Sequence, residues 1–344
     1  MGRWNAHRGF STGDLMVLVI RRLRRDERGV ASTVGTIMAL LVFLTFMSLI
    51  VNQYVPVWMK DSEAAHMNGA IGQFGGMKGA IDLQILGAQM AQNSGQIFLP
   101  TTASSAVTLG LDGVPIFSSP TLGQLTADPD LGPWSVFFAY RVGPSPGVLT
   151  RVWQNASGQI DLFVGNRYFI PQHVVYENGA VIRAQSDGQV IRAEPTFQAT
   201  KSGSNLTLAF QIVNLYGQGG LVGTTTEVVN TKVFGVSLQT YTDVASTIYV
   251  NHTSAYSLAW YSFLNASLSS AYRVQQGQGT FVRDAFTTHF TAPNLYEIQA
   301  DLNPVTQTYT LRLKVFNTSV PIGSFTLQTA FVQVGVGEQS NMNS

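Results

Sequence analysis

Serine is the first residue type to weigh, because Gly143-Pro144-Ser145-Pro146-Gly147 has the G-x-S-x-G spacing of an acyl-transfer nucleophile. That chemistry needs a strand before the serine and a helix after it. Here two prolines flank the serine and a β pattern follows, so the stretch reads as a loop. The five histidines, His7, His66, His173, His252 and His289, form neither HExxH nor an i, i+4 pair, so no zinc site is indicated. His66 reads as a solvated residue on the polar side of a helix. Asp128-Pro129-Asp130 offers two carboxylates, too few for a calcium cage, and reads as a turn. The glycine-rich Gly217–Gly223 lacks the dinucleotide spacing and reads as a hairpin loop. With no cysteine, thiol catalysis, disulfides and Cys-ligated metals are excluded. The chain is expected to be no enzyme and to carry no metal or cofactor.

Two further sets of side chains bear on surface chemistry. Five N-x-[ST] sequons, at Asn155, Asn205, Asn251, Asn265 and Asn317, are candidate glycosylation sites. Trp134, Trp153, Trp260 and Tyr261 are candidates for a carbohydrate platform, although their spacing suits a core equally well.

These residues need elements to hold them. The chain has 344 residues, of which 45% are hydrophobic and only 11% charged, with a net charge of +1. There is material for a sizeable core, and no basic excess of the kind nucleic-acid binders carry. The charge is unevenly placed. Residues 1–28 hold seven arginines against Asp14, Asp26 and Glu27, a net +4, which leaves −3 for the rest. Between Arg28 and Lys60 there is no charged side chain. Val34 to Val51 reads VGTIMALLVFLTFMSLIV, and as a helix it rises about 27 Å, close to the hydrocarbon thickness of a bilayer. Tyr54 and Trp58 fall where interfacial aromatics belong, and the arginine-rich side should stay cytoplasmic. The expected arrangement is a single pass in the cell membrane with the C-terminal head outside. Gly35 and Ala39 form a small-xxx-small pair suited to close helix packing.

The stretch Arg28-Gly29-Val30-Ala31-Ser32-Thr33-Val34-Gly35-Thr36-Ile37-Met38 resembles the start of archaeal type IV pilin-like proteins. Tyr54 to Met67, YVPVWMKDSEAAHM, is also similar to surface proteins of that group. The resemblance covers roughly residues 21–90. It implies a basic leader cut by a prepilin peptidase between Gly29 and Val30, ahead of the apolar helix rather than after it. Bacterial pilins carry Glu at the fifth position of the processed helix, where this chain has Val34; archaeal relatives are looser there. A head this large suits a minor pilin or a pilin-like surface protein. The partners implied are membrane lipid, the peptidase, and copies of the chain or other pilins.

Beyond the apolar segment, Met67, Ile71, Phe74, Ile81, Ile85 and Ala88 keep a helical rhythm, with Lys78 interrupting it. Lys60, Asp61, Glu63, His66, Asn68 and Gln73 fall on the opposite, polar side. Gly69, Gly72, Gly75, Gly76 and Gly79 either admit a close neighbour or weaken the helix near Phe74–Gly76, and Pro56 should bend it. From Gln96 onward short β-prone runs alternate with turn residues. The clearest hairpin is Val174–Glu177, turn Asn178-Gly179, Ala180–Arg183. Further strands are expected over Trp134–Val142, Gly147–Trp153, Gln159–Val164, Gln189–Ala193, Leu206–Leu215, Thr225–Tyr241, Thr280–Phe290, Leu295–Leu302, Thr308–Phe316 and Gly323–Val334. A helix is expected over Ser254–Ser270, capped by Ser254. Lys201-Ser202-Gly203-Ser204, with no apolar side chain, reads as a linker.

The expected fold is α+β: a basic leader (1–29), a transmembrane and stalk helix (30–92), and a mostly antiparallel β head in two sandwich-like lobes (93–200 and 201–344). The expected function is a structural or adhesive surface protein, either anchored alone or assembled into a filament. The alternative is an anchored binding protein that captures a sugar, peptide or ion.

Overall fold

The structure is a computed structural model of the chain, and it describes residues 12–114, 117–143, 146–275 and 277–337. Residues 1–11 of the basic leader, and Pro144 and Ser145 of the G-x-S-x-G stretch, lie outside the described residues. Helical residues run from Thr12 to Asn93 as α1 (Thr12–Leu49), a π-helical turn (Ile50–Tyr54) and α2 (Val55–Asn93). The segment expected as a leader is helical from Thr12 onward, and the Gly29–Val30 bond lies inside α1. Leu, Arg and Met favour helix there. Pro56 does not break the helix. It cannot donate to the carbonyl four residues back, and the turn just before it widens so that the Val55 N–H bonds to the Ile50 carbonyl.

The strands follow in chain order as β1 (Thr102–Thr108), β2 (Gly123–Asp128), β3 (Trp134–Val142), β4 (Val148–Ala156), β5 (Gln159–Val164), β6 (Gln172–Glu177), β7 (Ala180–Gln185), β8 (Gly188–Ala193), β9 (Phe197–Ser202), β10 (Asn205–Tyr216), β11 (Gly219–Gly223), β12 (Thr226–Thr242) and β13 (Ile248–Ser254). Then come α3 (Ser257–Tyr272), β14 (Thr280–Arg283), β15 (Thr287–Ala292), β16 (Tyr296–Asn303), β17 (Thr308–Val315) and β18 (Ile322–Val336). They form three sheets, ordered β1-β12-β18-β10-β9, β11-β2-β5-β6-β7-β8 and β14-β15-β16-β17-β13-β3-β4. Among the described pairs only β10–β18 is parallel.

The chain divides into two compact units, 1–58 and 59–344. The first is helix throughout its described part. The second contains every strand and most of α2. A lobe boundary at residue 200 does not appear, because each sheet takes strands from both sides of it. The Lys201–Ser204 patch closes the β9–β10 hairpin, with Ser202 opposite Asn205. Its lack of apolar side chains marks a turn rather than a linker.

Two cores hold the second unit together. In one, Met67, Phe74, Met77, Ile81 and Ile85 of α2 pack with β-residues such as Leu125, Ile160, Tyr176, Val213 and Val332. In the other, Trp134, Phe138, Leu208, Phe210, Trp260 and Tyr296 join the third sheet and α3 to opposite faces of the first two sheets. β6 serves both, with Val174 and Tyr176 in the first core and Val175 in the second, which explains its unbroken apolar run.

Between the sheets lies Glu177, fully buried at the end of β6. Its carboxylate accepts from Ser254 Oγ at 2.7 Å and Trp260 Nε1 at 2.7 Å, and His252 Nε2 lies 2.9 Å away. Ser254 thus ends β13 and does not cap α3 with its side chain; its hydroxyl donates to Glu177 and accepts the Tyr256 N–H at 3.0 Å. The next two residues make the expected turn, Asn178 at φ 47° and Gly179 at φ 78°. Asn178 Oδ1 also accepts the Val213 N–H at 2.7 Å, tying the hairpin to β10. Gly132 passes directly over the carboxylate at φ +61°, and a Cβ there would come 2.6 Å from Glu177 Oε2. Gly132→Ala is therefore expected to cost about 2–3 kcal/mol, from left-handed strain plus displacement of a buried charge. A fall in the thermal unfolding midpoint of the detergent-solubilised protein measures it; an unchanged midpoint contradicts the contact.

Candidate functional site

The features that point to function are the apolar helix and the surface by which α2 joins the head. In the first unit, the most apolar 18-residue window of the helix has a mean hydropathy of 2.5 and none of it is buried. Among the described residues, one helix is thus long and apolar enough to cross a membrane. Several of its polar side chains bond back to the helix. Thr36 Oγ1 donates to the Thr33 carbonyl at 2.8 Å, Thr45 Oγ1 to Leu41 at 2.8 Å, and Asn52 Nδ2 to Ser48 at 2.8 Å. Such back-bonding suits a medium without water. Gly35 and Ala39 are both exposed, and a Cβ on Gly35 would meet nothing within 4 Å.

In the second unit, α2 seats itself on the strands through its polar residues as much as its apolar ones. Glu63, expected on the polar side, is fully buried. Its Oε1 accepts from Thr121 Oγ1 at 2.7 Å and the Arg167 N–H at 3.1 Å; its Oε2 accepts from the Tyr168 N–H at 2.8 Å and the Phe169 N–H at 2.6 Å. Three successive amides of the β5–β6 loop converge on one carboxylate, a backbone nest for an anion. One turn on, His66 Nε2 lies 3.1 Å from the Thr108 carbonyl. Gln73 accepts the Thr108 N–H at 2.9 Å and donates to Thr108 Oγ1 at 3.0 Å. Gln84 accepts the Val233 N–H at 2.9 Å, at the bulge in β12. Lys78, which interrupts the apolar stripe, is largely buried and pairs with Asp82. Sequence reasoning placed Glu63, His66 and Gln73 in water. The available signal was their position directly beside Met67, Phe74 and Met77 on the helical wheel.

The remaining face of α2 is bare. Ala65, Gly69, Gly72, Gly76, Gly79, Leu83, Leu86 and Met90 follow one another at helical spacing and are all exposed, Leu83 by 71% and Met90 by 63%. Apart from the helix's own backbone and the adjoining residues, no described atom lies within 4 Å of a Cβ built on Gly69, Gly72, Gly76 or Gly79. The glycines are thus not required by the head, and they do not break the helix.

The sequons separate by geometry. Asn155, Asn205 and Asn251 are exposed. Asn265 is half-buried and accepts from Tyr296 Oη at 2.8 Å. Asn317 is consumed structurally, its amide donating to the Val244 carbonyl and accepting the Ile322 N–H at 2.6 Å. Of the four candidate platform aromatics, Trp134, Trp260 and Tyr261 are in the core and Trp153 is exposed. Asp128 caps its own turn, accepting the Asp130 N–H at 2.9 Å. Gly219–Gly223 is an edge strand rather than a loop, paired with β2.

A family model described as "Family of unknown function (DUF7289)" matches residues 171–292, from β6 through β15. That span is roughly a third of the chain and lies wholly within the head. No curated protein and no solved structure matches the chain.

Two measurements follow from the seat. Glu63→Gln keeps the shape but points an amide donor at converging N–H groups, and should cost about 3 kcal/mol; an unchanged unfolding midpoint would contradict the nest. Burial lowers the His66 pKa below its ordinary value, outweighing the Thr108 carbonyl and Glu63, which raise it. The unfolded chain then binds the proton first as pH falls. Stability is complete above the ordinary histidine value of about 6.5 and is lost as pH drops through it. The midpoint should decline over that range, and less so in His66→Gln.

Proposed function

We propose that the protein is a pilin-like structural or adhesive surface protein, anchored by its N-terminal helix with the β head outside the cell and the arginine-rich end in the cytoplasm. The supporting observation is the two-sided character of α2: one stripe is sealed against the head, and the other, from Ala65 to Met90, is uncharged, bare and lined by glycine. A bare apolar stripe on a helix continuing from a lipid-compatible segment is suited to packing against the same helix in other copies. The resemblance around Gly29–Val30 supports processing there by a prepilin-type peptidase.

The test begins with N-terminal sequencing of the protein from its own cells. Val30 as first residue supports the processed form, and an intact N-terminus removes it. Assembly is tested by Gly76→Leu alongside Gly35→Leu and Ala39→Leu. Gly76→Leu fills space that nothing occupies and should raise helix stability by close to 1 kcal/mol. The expected outcome is loss of extracellular fibres by electron microscopy at unchanged membrane levels. If wild-type cells carry no fibres containing the protein, filament assembly fails and the lone anchored protein remains.

A further inference from the structure

The outer face of the third sheet carries two side-chain rows that differ in chemistry. In the first, register places Tyr249 of β13 opposite Phe137 of β3, and Phe137 opposite Trp153 of β4. The Phe137 ring centroid lies 5.5 Å from that of Trp153 and 6.2 Å from that of Tyr249. Trp153, on the edge strand, is 66% exposed. In the second row, two residues along each strand, the same registers align Asn251, Ser135 and Asn155. Trp153 Nε1 donates to Asn155 Oδ1 at 2.7 Å, which fixes both side chains and leaves the Asn155 amide N–H groups free.

A cavity of about 460 Å³ opens at the second row, lined by the uncharged Ser135, Asn155, Ser157, Asn214, Asn251 and Thr253 among others. That volume lies within the range of small-molecule sites. Among the described residues, the side chains of Ser135, Ser157 and Asn251 make no hydrogen bond to the protein, so donors and acceptors stand unused at its wall. The ionisable group there, His252, turns its polar atoms inward, with Nδ1 3.1 Å from the Pro133 carbonyl and Nε2 2.9 Å from the Glu177 carboxylate. The charges on β17 are paired, Lys314 with Glu297 and Arg312 with Asp301, whereas Arg151, exposed on β4 two residues before Trp153, makes no ion pair among the described residues.

We propose that this face binds a neutral glycan without a covalent bond to it. Aromatic rings in a row bury the C–H faces of pyranose rings, and free amides and hydroxyls match sugar hydroxyls, which both donate and accept. The cavity lining itself holds no Lys or Arg for an anionic polymer, and Arg151 stands beyond the ring row rather than in the cavity. The proposal deepens the adhesive reading and rests on the head facing outward, not on filament assembly. The same chemistry has a second source, because Asn155 and Asn251 are both sequons: a sugar attached to the chain itself.

The experiment uses full-length, detergent-solubilised protein from its own cells. Peptide mapping by mass spectrometry reads Asn155 and Asn251, and tryptophan fluorescence follows titration with cellohexaose, chitohexaose and polygalacturonate. The expected result is unmodified Asn155 and Asn251, and a saturable shift with a neutral sugar at millimolar concentration or below. Followed by isothermal titration calorimetry, which does not depend on the Trp153 fluorophore, Trp153→Ala and Asn251→Ala should each weaken binding about tenfold or more without lowering the unfolding midpoint. Absence of a saturable shift with either neutral sugar overturns the proposal, as does preference for polygalacturonate or binding that both variants retain. A glycan attached at Asn155 or Asn251 also overturns it, since the face is then covered by the chain's own sugar. None of these results alters whether the protein is anchored or forms fibres.

Discussion

A carboxylate with no access to water must be fully satisfied by protein, and Glu63 is the point at which that demand organises the molecule. Its four donors come from outside the helix: a threonine hydroxyl and three consecutive amides of the β5–β6 loop. Neither partner is stable alone. The loop would leave buried N–H groups unpaired, and the helix would bury a bare charge. Once Glu63 is fixed, helical periodicity sets which residues follow it inward. Gln73 and Gln84 then repeat the device with neutral amides, each supplying a partner to strand backbone that the ladder leaves free, at the end of β1 and at the β12 bulge.

The same helix therefore meets two solvents. Its inward stripe is specified by large side chains that fill a core between two sheets. Its outward stripe is specified by the near-absence of side chains. Glycine in a helix interior is costly without a compensating contact, and among the described residues there is none. That imbalance is the physical reason to look for the compensation outside the chain.

Much of this architecture was legible because strong patterns are local. The apolar run of Val34–Val51, the Asn178-Gly179 turn, and the limits of β3 and β5 can be read from residue types alone. Several strands escaped. β1 reads TASSAVT and β11 reads GGLVG, weakly patterned edge strands whose stability comes from one neighbour rather than from apolar side chains, and β9 is a third edge. β2 and β13 lie inside their sheets, and β13 alternates buried and outward residues over IYVNHTS, so its pattern was present and was not read as a strand. Thr280–Phe290 reads as one strand, yet Asp284 accepts the N–H groups of Phe286 and Thr287 and splits it in two. Glu63 and Glu177 were illegible for a deeper reason. A buried charge is decided by partners far away in sequence, 104 to 106 residues for the Glu63 amides and up to 83 for Glu177. The aromatic row was half visible. Trp153 was among the candidates, but its companions Phe137 and Tyr249 are set beside it only by strand register.

The parallel pairing of β10 with β18 bears on how the protein is made. β18 occupies the centre of its sheet, flanked by β12 on one side and β10 on the other. It is also the last of the described strands to leave the ribosome. Until it does, β10 and β12 have an empty slot between them, and the core that receives α2 lacks Ala330, Val332 and Val334. The helix, translated before the strands, is complete long before its seat exists. Assembly order is thus built into the topology: the helix is complete first and closure of the head waits for the last described strand, so nascent chains need protection from premature sheet pairing throughout elongation.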